Sequence, residues 1–276
     1  MKLIATVIFS ILSATITSKS YADTYSYPGG IAQLTIPKKS DIIPEVKFGL
    51  NEPIVMEYGE YWRILIGLSL DTLPGDYVVY IKPAIEGAPG VYEKIVVKQH
   101  IYPFNTYLRF DSHDSDQAVS RVYDTFSSID FSNTQQPSLP LRYPVEGSWS
   151  NNFGHKLYDK DNDALHIPNA IVLSTPQVSA VVAPQAAIVS KIDLLESGLS
   201  TVFLDHGRGL YSILSGLDDI TVEVGNGIVA GAVIGKLRAS KTTETTRSSD
   251  TDNFLIWQTV INNTYIDPQI LIKLKP

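Results

Sequence analysis

The stretch "NFLIWQTVINNTYIDP" covers residues 253–268 and predicts a strand, a tight turn and a short closing strand. Its first nine residues are mostly apolar and include β-branched and aromatic side chains, which is typical of a buried strand. Asn262 and Asn263 mark the turn. A pattern of this kind favours an antiparallel β protein.

Strand patterns of the same kind fill two blocks of the chain, residues 23–110 and residues 141–276. In both blocks, short apolar runs are separated by Pro, Gly and Asp turns. The clearest runs are "IAQLTIP", "PIVMEYGEYWRILIGLSL", "DYVVYIKP", "AAIVSKIDLL", "STVFLDHG" and "GLYSILSGL". The sequence therefore predicts an all-β protein, with an N-terminal β-sandwich-like domain and a C-terminal antiparallel β domain.

Residues 111–140 differ from both blocks. The segment "SDQAVSRVYDTFSSI" spaces its apolar residues as on one face of a helix, and "SNTQQPSLPLRYP" follows as a polar, proline-rich connector. We expect a short helix near residues 115–130 and a linker between the two domains.

Residues 1–22 have the features of a secretory signal peptide. Lys2 is followed by an apolar run, and the segment ends in Ser20-Tyr21-Ala22. The rest of the chain holds no second hydrophobic stretch long enough to span a membrane. Removing the signal changes the formal charge from −7 to −9, because Lys2 and Lys19 are lost. We expect an exported protein of the periplasm or cell envelope that does not bind nucleic acid.

Five stretches of the C-terminal block carry a resemblance to a known family. They are "LRYPVEGSWSNNFG", "STPQVSAVVAPQAAIVSKI", "STVFLDHGRGLYSILSGL", "ITVEVGNGIVAGAVIGKL" and "FLIWQTVINNTYIDP". In this order and spacing they resemble the LytM or lysostaphin-type zinc peptidases, which cut peptidoglycan. The stretches "YPGGIAQLTIP", "FGLNEPIVM" and "WRILIGLSLDTLPGDY" are similar to the β domain that precedes this peptidase in exported proteobacterial proteins. The glycine-rich segment alone would also suit a lipoyl-type barrel, but no lysine-centred turn accompanies it.

The resemblance implies a zinc site built from three motifs. These are His-x-x-x-Asp, His-x-His and Tyr-x-His-Leu, whose histidines and aspartate hold zinc or orient its bound water. Zinc needs three protein ligands and one open position, at which the bound water becomes acidic enough to act at neutral pH.

Aligned by the resemblance, these motifs are almost entirely missing here. The His-x-x-x-Asp positions hold Pro168 and Val172, the His-x-His positions hold Phe254 and Ile256, and the Tyr-x-His-Leu histidine is Gly216. His166 lies two residues before the first position and is the only remnant of the ligand set, but Ala170 follows it four residues later. We therefore predict no catalytic residue, no metal ligand and no cofactor, although zinc is expected for the family.

Other residues near the former site are interpreted as follows. Phe254 and Ile256 are expected to fill the zinc cavity. The vestigial groove that results is predicted to be lined by His166, Tyr211, Gly216, Phe254 and Trp257. His206 is interpreted as a structural histidine that bonds to the backbone.

An acidic cluster precedes the vestigial site. The segment "HKLYDKDNDALH" holds His155, Asp159, Asp161, Asp163 and His166. The Asp spacing is that of a calcium loop, but Ala164 stands where such a loop has glycine. A solvated acidic turn is the simplest interpretation. A weak calcium site and an improvised His/Asp metal site remain alternatives.

Three functions follow from these observations. The first is a non-catalytic LytM-like protein that binds peptidoglycan or regulates an envelope cell-wall hydrolase such as an amidase. The second is an active metal-dependent peptidoglycan endopeptidase that uses a non-standard ligand set around His155 and His166. The third is a purely structural envelope protein.

Overall fold

The computed structural model describes residues 25–105, 132–150, 153–159, 164–175, 177–194, 200–237 and 253–274. The predicted signal peptide and the predicted helix near 115–130 lie outside the described residues. The division of the chain at residues 110 and 140 stays a prediction.

The N-terminal part forms two three-stranded antiparallel sheets. Its strands are β1 (Ile31–Pro37), β2 (Glu45–Lys47), β3 (Ile54–Tyr58), β4 (Tyr61–Gly67), β5 (Gly75–Lys82) and β6 (Val91–Val97). One sheet has the order β1-β4-β3 and the other has the order β2-β5-β6. Their facing side chains, such as Leu34, Ile64 and Ile81, form one core. This packing of two sheets is that of a β-sandwich.

Sheet β1-β4-β3 is buried on both faces. Alternate residues of its strands, including Ile31, Ile54 and Leu65, belong to the same apolar core as residues of the C-terminal part. Gly67 on β4 lies so close to β18 and β19 that an added Cβ would be 3.2 Å from Thr264 and 3.3 Å from Ile261. The N-terminal sheet is therefore an integral layer against the C-terminal part.

Four short strands come next along the chain. They are β7 (Phe104–Asn105), β8 (Ser148–Ser150), β9 (Lys156–Asp159) and β10 (Ala164–His166). β9 pairs with β10 in an antiparallel hairpin and with β7 in parallel. Among the sheets of the described residues, only this small one joins a strand of the N-terminal part, β7, to strands of the C-terminal part, β9 and β10.

The C-terminal part is built on a ten-stranded sheet. Besides β8, its strands are β11 (Ile171–Thr175), β12 (Ala180–Val182), β13 (Ala187–Leu194), β14 (Ser200–Gly207), β15 (Leu210–Asp218), β16 (Gly227–Ile228), β17 (Val233–Leu237), β18 (Asn253–Ile261) and β19 (Thr264–Ile266). The main path runs β16-β13-β14-β15-β18-β11-β8, and all its pairings are antiparallel. These sheets confirm the predicted all-β fold.

The predicted turn at residues 262–263 joins β18 to β19. Asn262 and Asn263 both have positive φ, at 44° and 67°, a conformation that asparagine tolerates well. A helix not predicted from the sequence follows, α1 (Pro268–Lys273). Asp267 caps it by accepting a hydrogen bond from the backbone N–H of Gln269, and Pro268 is at its start. Asp-Pro is a known start signal for a helix, so the sequence did carry the information.

None of the helices in the described part of the chain has the length and apolarity needed to cross a membrane.

Candidate functional site

The positions aligned with the zinc ligands lie side by side on three neighbouring strands. Val172 on β11 is directly opposite Ile256 on β18, and Ile256 is opposite Ser215 on β15. Phe254 is opposite Ser174 in the same register. Because directly opposed residues of antiparallel strands project from the same face, Val172, Ile256 and Ser215 form one row. We call it the site row.

Gly216 follows the site row at a β-bulge of β15. The pairing of β14 with β15 shifts register between Ser200 and Thr201, so Gly216 is the extra residue. Its φ is +104°, and a Cβ added there would be 2.8 Å from the carbonyl oxygen of Phe254. A larger residue at this position, including the histidine that the resemblance places there, therefore requires the Phe254 backbone to shift.

An apolar cluster includes two of the positions that the resemblance aligns with zinc-site residues. It consists of Ala170, Ile256 and the half-buried Phe254, and Ile256 is only 4% exposed. Burying an isoleucine side chain contributes about 2 kcal/mol to the stability of a fold. Ile256 therefore acts as a core residue, whereas Phe254 keeps part of its ring accessible.

The side chains at the positions aligned with the zinc site cannot bind zinc. Zinc binds to imidazole nitrogens, thiolates and carboxylates, but Val172, Phe254 and Ile256 have hydrocarbon side chains. Within the described ranges, no group of three or more His, Cys, Asp or Glu side chains is placed to hold a metal ion. We derive no metal-dependent step from these residues.

His166 is on a different sheet from the site row. It belongs to β10, where it pairs with Leu157 of β9, and this hairpin is not part of the ten-stranded sheet. His155 at the start of the hairpin is half-buried, and burial lowers its pKa, while the charge of Asp267 acts in the opposite direction. Asp161 and Asp163 lie outside the described residues. The calcium and His/Asp interpretations of this segment therefore stay predictions.

Two residues predicted to line the groove lie in the core instead. Trp257 and Tyr211 are both fully buried. Trp257 projects from the opposite face to Ile256 and packs with Leu214 in the main core, because adjacent strand residues point to opposite faces. Tyr211 packs with Phe203, as part of a separate small cluster. A side chain without accessible area cannot contact a ligand, so this part of the predicted groove is corrected.

His206 is held by hydrogen bonds at both ring nitrogens. Nδ1 is 2.9 Å from the carbonyl oxygen of Ala186, and Nε2 is 2.9 Å from Oγ of Ser212. Nδ1 therefore donates to the carbonyl, and Nε2 accepts from the hydroxyl. Burial lowers the pKa of His206 to about 4, while the bond to Ala186 opposes that change. The imidazole is neutral and structural near pH 7, in agreement with the sequence interpretation.

Two buried polar pairs, one of which includes Ser215 of the site row, were not singled out by the sequence analysis. Thr201 Oγ1 donates to Ser215 Oγ at 2.9 Å, and Gln258 Nε2 donates to Asn169 Oδ1 at 2.6 Å. Gln258 is two residues beyond Ile256 on the same strand, so alternation along β18 could have indicated its position. Neutral hydroxyl and amide groups hold the strands together but supply neither a metal ligand nor a strong base.

Comparison with known proteins finds similar sequences and folds for the part of the chain that holds these strands. Residues 166–268 match the sequence profile of peptidase family M23. A comparison with curated proteins gave no match. A crystal structure from Pseudomonas aeruginosa, assigned to peptidase family M23, is 23% identical with a TM-score of 0.64. The similarity covers 91% of this chain and 96% of that chain, and it shows the fold alone.

Two further solved structures are similar at lower scores. A zinc-containing peptidase from Vibrio cholerae is 15% identical, with a TM-score of 0.40 over 82% of this chain and 86% of that chain. The catalytic domain of lysostaphin from Staphylococcus simulans is 17% identical, with a TM-score of 0.35 over 46% of this chain and 93% of that chain. Both scores are too low to carry an argument, so the comparison of folds rests on the Pseudomonas structure. Residues 166–268 resemble peptidase family M23 in sequence, and the chain has an M23 peptidase-like, LytM-type fold.

Proposed function

We propose that this protein is an exported, non-catalytic LytM-like protein of the cell envelope, which acts in peptidoglycan remodelling as a binding or regulatory module. The observation that carries the proposal is the hydrocarbon character of the side chains in and beside the site row. Val172, Ile256 and Phe254 occupy adjacent positions on β11 and β18, where the resemblance places an aspartate and two histidines.

The loss of zinc binding is chemical as well as steric. A well-formed structural zinc site contributes on the order of 10 kcal/mol, and a single imidazole at His166 cannot replace three ligands. At Gly216, a histidine would need a shift of the Phe254 backbone before it could be accommodated. Restoring the site would therefore require changes in the backbone as well as in the side chains.

A binding role is supported by the open edge of the sheet beside the site row. β8 is the last strand on that side of the main path within the described residues, and it pairs with β11. Trp149 on β8 is 46% exposed, and its ring stacks on Tyr143 at 6.2 Å between centroids. An edge strand can pair with an extended peptide through its backbone, and an exposed aromatic ring adds contact area. Peptidoglycan stem peptides and peptide segments of a hydrolase both have this extended form.

The test combines three measurements on the mature protein. Elemental analysis is expected to find no stoichiometric zinc, and dye-labelled peptidoglycan should stay undigested with or without added zinc. The protein should also sediment with purified sacculi or change the rate of a purified cell-wall amidase.

A pair of variants locates the binding surface. Trp149→Ala should weaken sedimentation or amidase regulation, whereas Tyr92→Ala, which removes an aromatic ring that is 72% exposed in the N-terminal part, should not. Zinc-dependent digestion would overturn the proposal in favour of the endopeptidase alternative. Absence of both sacculus binding and amidase regulation would leave the purely structural role.

A further inference from the structure

A narrow apolar pocket opens at one end of the N-terminal sandwich. Its walls are residues 37–44, between β1 and β2, and residues 83–91, between β5 and β6. Ile36 and Trp62 line it from the buried core. Its volume of about 80 Å³ is well below the ~150 Å³ of a cavity that holds a benzene ring. The pocket is therefore too small for a ring and accepts only a few carbons at the end of a narrow hydrocarbon chain.

The lining offers few hydrogen-bonding groups. Four of its residues are prolines, namely Pro37, Pro44, Pro83 and Pro89, and proline has no backbone N–H. The hydroxyl of Ser40, which also lines the pocket, accepts a hydrogen bond from the backbone N–H of Ile42. Burying a polar group without a hydrogen bond is costly. The buried part of a ligand must therefore be hydrocarbon.

The mouth of the pocket combines exposed apolar side chains with one positive charge. Ile42 is 68% exposed and Ile85 is 40% exposed, and both line the pocket. Lys39 is the only charged residue of the lining. The neighbouring Lys38 is neutralised by two carboxylates at 3.1 Å, whereas Lys39 forms no ion pair among the described residues. The charge of Lys39 is therefore available to an anion at the mouth.

We infer that this pocket binds the hydrocarbon tail of a single-chain anionic amphiphile, whose head group pairs with Lys39. A peptide fits less well, because its backbone brings donors and acceptors that the proline-rich lining cannot satisfy. The prolines also favour a preformed pocket, since their φ angles are fixed before binding. The site is separate from the site row, so it can be tested independently of the proposed function.

The test is a calorimetric titration of the mature protein with decanoate below its micelle concentration. One molecule should bind per chain. Acetate, which has almost no tail, should bind at least about tenfold more weakly, because each buried methylene contributes ~0.8 kcal/mol. Decyltrimethylammonium, which has the same tail and a positive head, should also bind more weakly than decanoate.

Two variants assign the binding to this pocket. Ala84→Phe fills the pocket and should abolish decanoate binding, with a thermal melt to verify folding. Lys39→Gln should weaken binding about three- to fivefold and reduce its salt dependence, as expected for an exposed charge pair. Lys94→Gln is the matched control, because it removes an exposed lysine that pairs with Asp76 on the β5–β6 hairpin, and it should leave binding unchanged.

Three results would overturn the inference. The first is the absence of decanoate binding. The second is unchanged binding by both Ala84→Phe and Lys39→Gln, which would place any decanoate site elsewhere. The third is tight binding of a short capped Leu-Glu peptide without decanoate binding, which would identify the pocket as a docking site for an acidic peptide. If Ala84→Phe does not fold, the Lys39→Gln titration and its control decide the outcome.

Discussion

Two regions of the same β-sheet differ in how their polar groups are used. Around His206, both ring nitrogens and the hydroxyl of Ser212 are hydrogen-bonded, and the histidine is buried. Around Ile256, the positions that a zinc peptidase would use for ligands hold hydrocarbon side chains. The comparison shows that a histidine within a peptidase-like sheet is not by itself a sign of catalysis. Its bonding partners and its access to solvent decide its role.

The largest effect should come from placing histidines at the apolar positions. The double variant Phe254→His with Ile256→His should lower the free energy of unfolding by about 4 kcal/mol, because it removes buried apolar area and introduces rings that need hydrogen bonds. It should bind no zinc and digest no peptidoglycan, since Val172 and Gly216 supply no further ligand.

Chemical unfolding, elemental analysis and a digestion assay measure these effects. Val233→His is the matched control, since this residue is 48% exposed on the same sheet and should change stability by less than ~0.5 kcal/mol. Unchanged stability of the double variant would show that the apolar cluster does not contribute to the fold.

The next effect concerns the pH dependence of stability. His206 has a pKa of about 4 in the folded state, against 6.5 for its ordinary value. Between these values the unfolded chain binds more protons, so stability should fall as the pH is lowered from 6.5 to 4. The loss from this group should reach about 3 kcal/mol.

Urea unfolding from pH 7.5 to pH 4 measures this loss. His206→Gln should flatten the curve in that window, although it lowers stability at pH 7. The half-buried His155→Gln is a control and should flatten the curve much less. A His206→Gln curve with the wild-type slope would show that another group causes the pH dependence.

The next comparison concerns the stability cost of adding a Cβ atom at two glycines. It separates the cost of steric crowding at Gly216 from the cost of its left-handed backbone conformation. Gly216 and Gly225 both have positive φ, but only Gly216 has atoms close to an added Cβ. Gly225→Ala should cost about 1 kcal/mol for the left-handed backbone alone. Gly216→Ala should cost about 3 kcal/mol, because the Phe254 carbonyl must move as well. Equal costs in thermal and chemical unfolding would mean that the space beside Gly216 readily adjusts.

The smallest effect should come from the hydrogen bond between Thr201 on β14 and Ser215 of the site row. A double-mutant cycle of Thr201→Val and Ser215→Ala should give a coupling of about 1 kcal/mol, the usual contribution of one buried hydrogen bond. Removing both partners should be less costly than the sum of the single changes. A coupling near zero would show that the 2.9 Å contact does not stabilise the pairing of β14 with β15.

Local patterns in the chain were sufficient to predict many elements. The segments "IAQLTIP", "STVFLDHG" and "NFLIWQTVI" correspond to the observed strands β1, β14 and β18, because runs rich in β-branched and aromatic residues between turn signals favour strands. The turn at Asn262-Asn263 was also predicted from local chemistry. The absence of zinc-binding groups at residues 172, 254 and 256 follows from residue identity alone.

Other features depend on contacts between residues that are distant in the chain. Alternation along β18 places Ile256 and Trp257 on opposite faces, but only packing determines that Trp257 enters the main core and Ile256 the small cluster with Ala170. In the same way, the Val172–Ile256 register joins residues 84 positions apart. No local pattern encodes such a register, because it is set by which faces of the sheet become buried together.

The layered arrangement and the N-terminal pocket also required the tertiary structure. Ile54 and Leu65 read as ordinary strand residues, yet they pack into the core of the C-terminal part. The pocket near Trp62 arises where two loops, separated by about forty residues, close over the end of one sandwich. Short-range sequence patterns specify strands and turns because they depend on neighbouring residues. Cavities and shared cores depend on how completed sheets pack, and only the folded chain decides that.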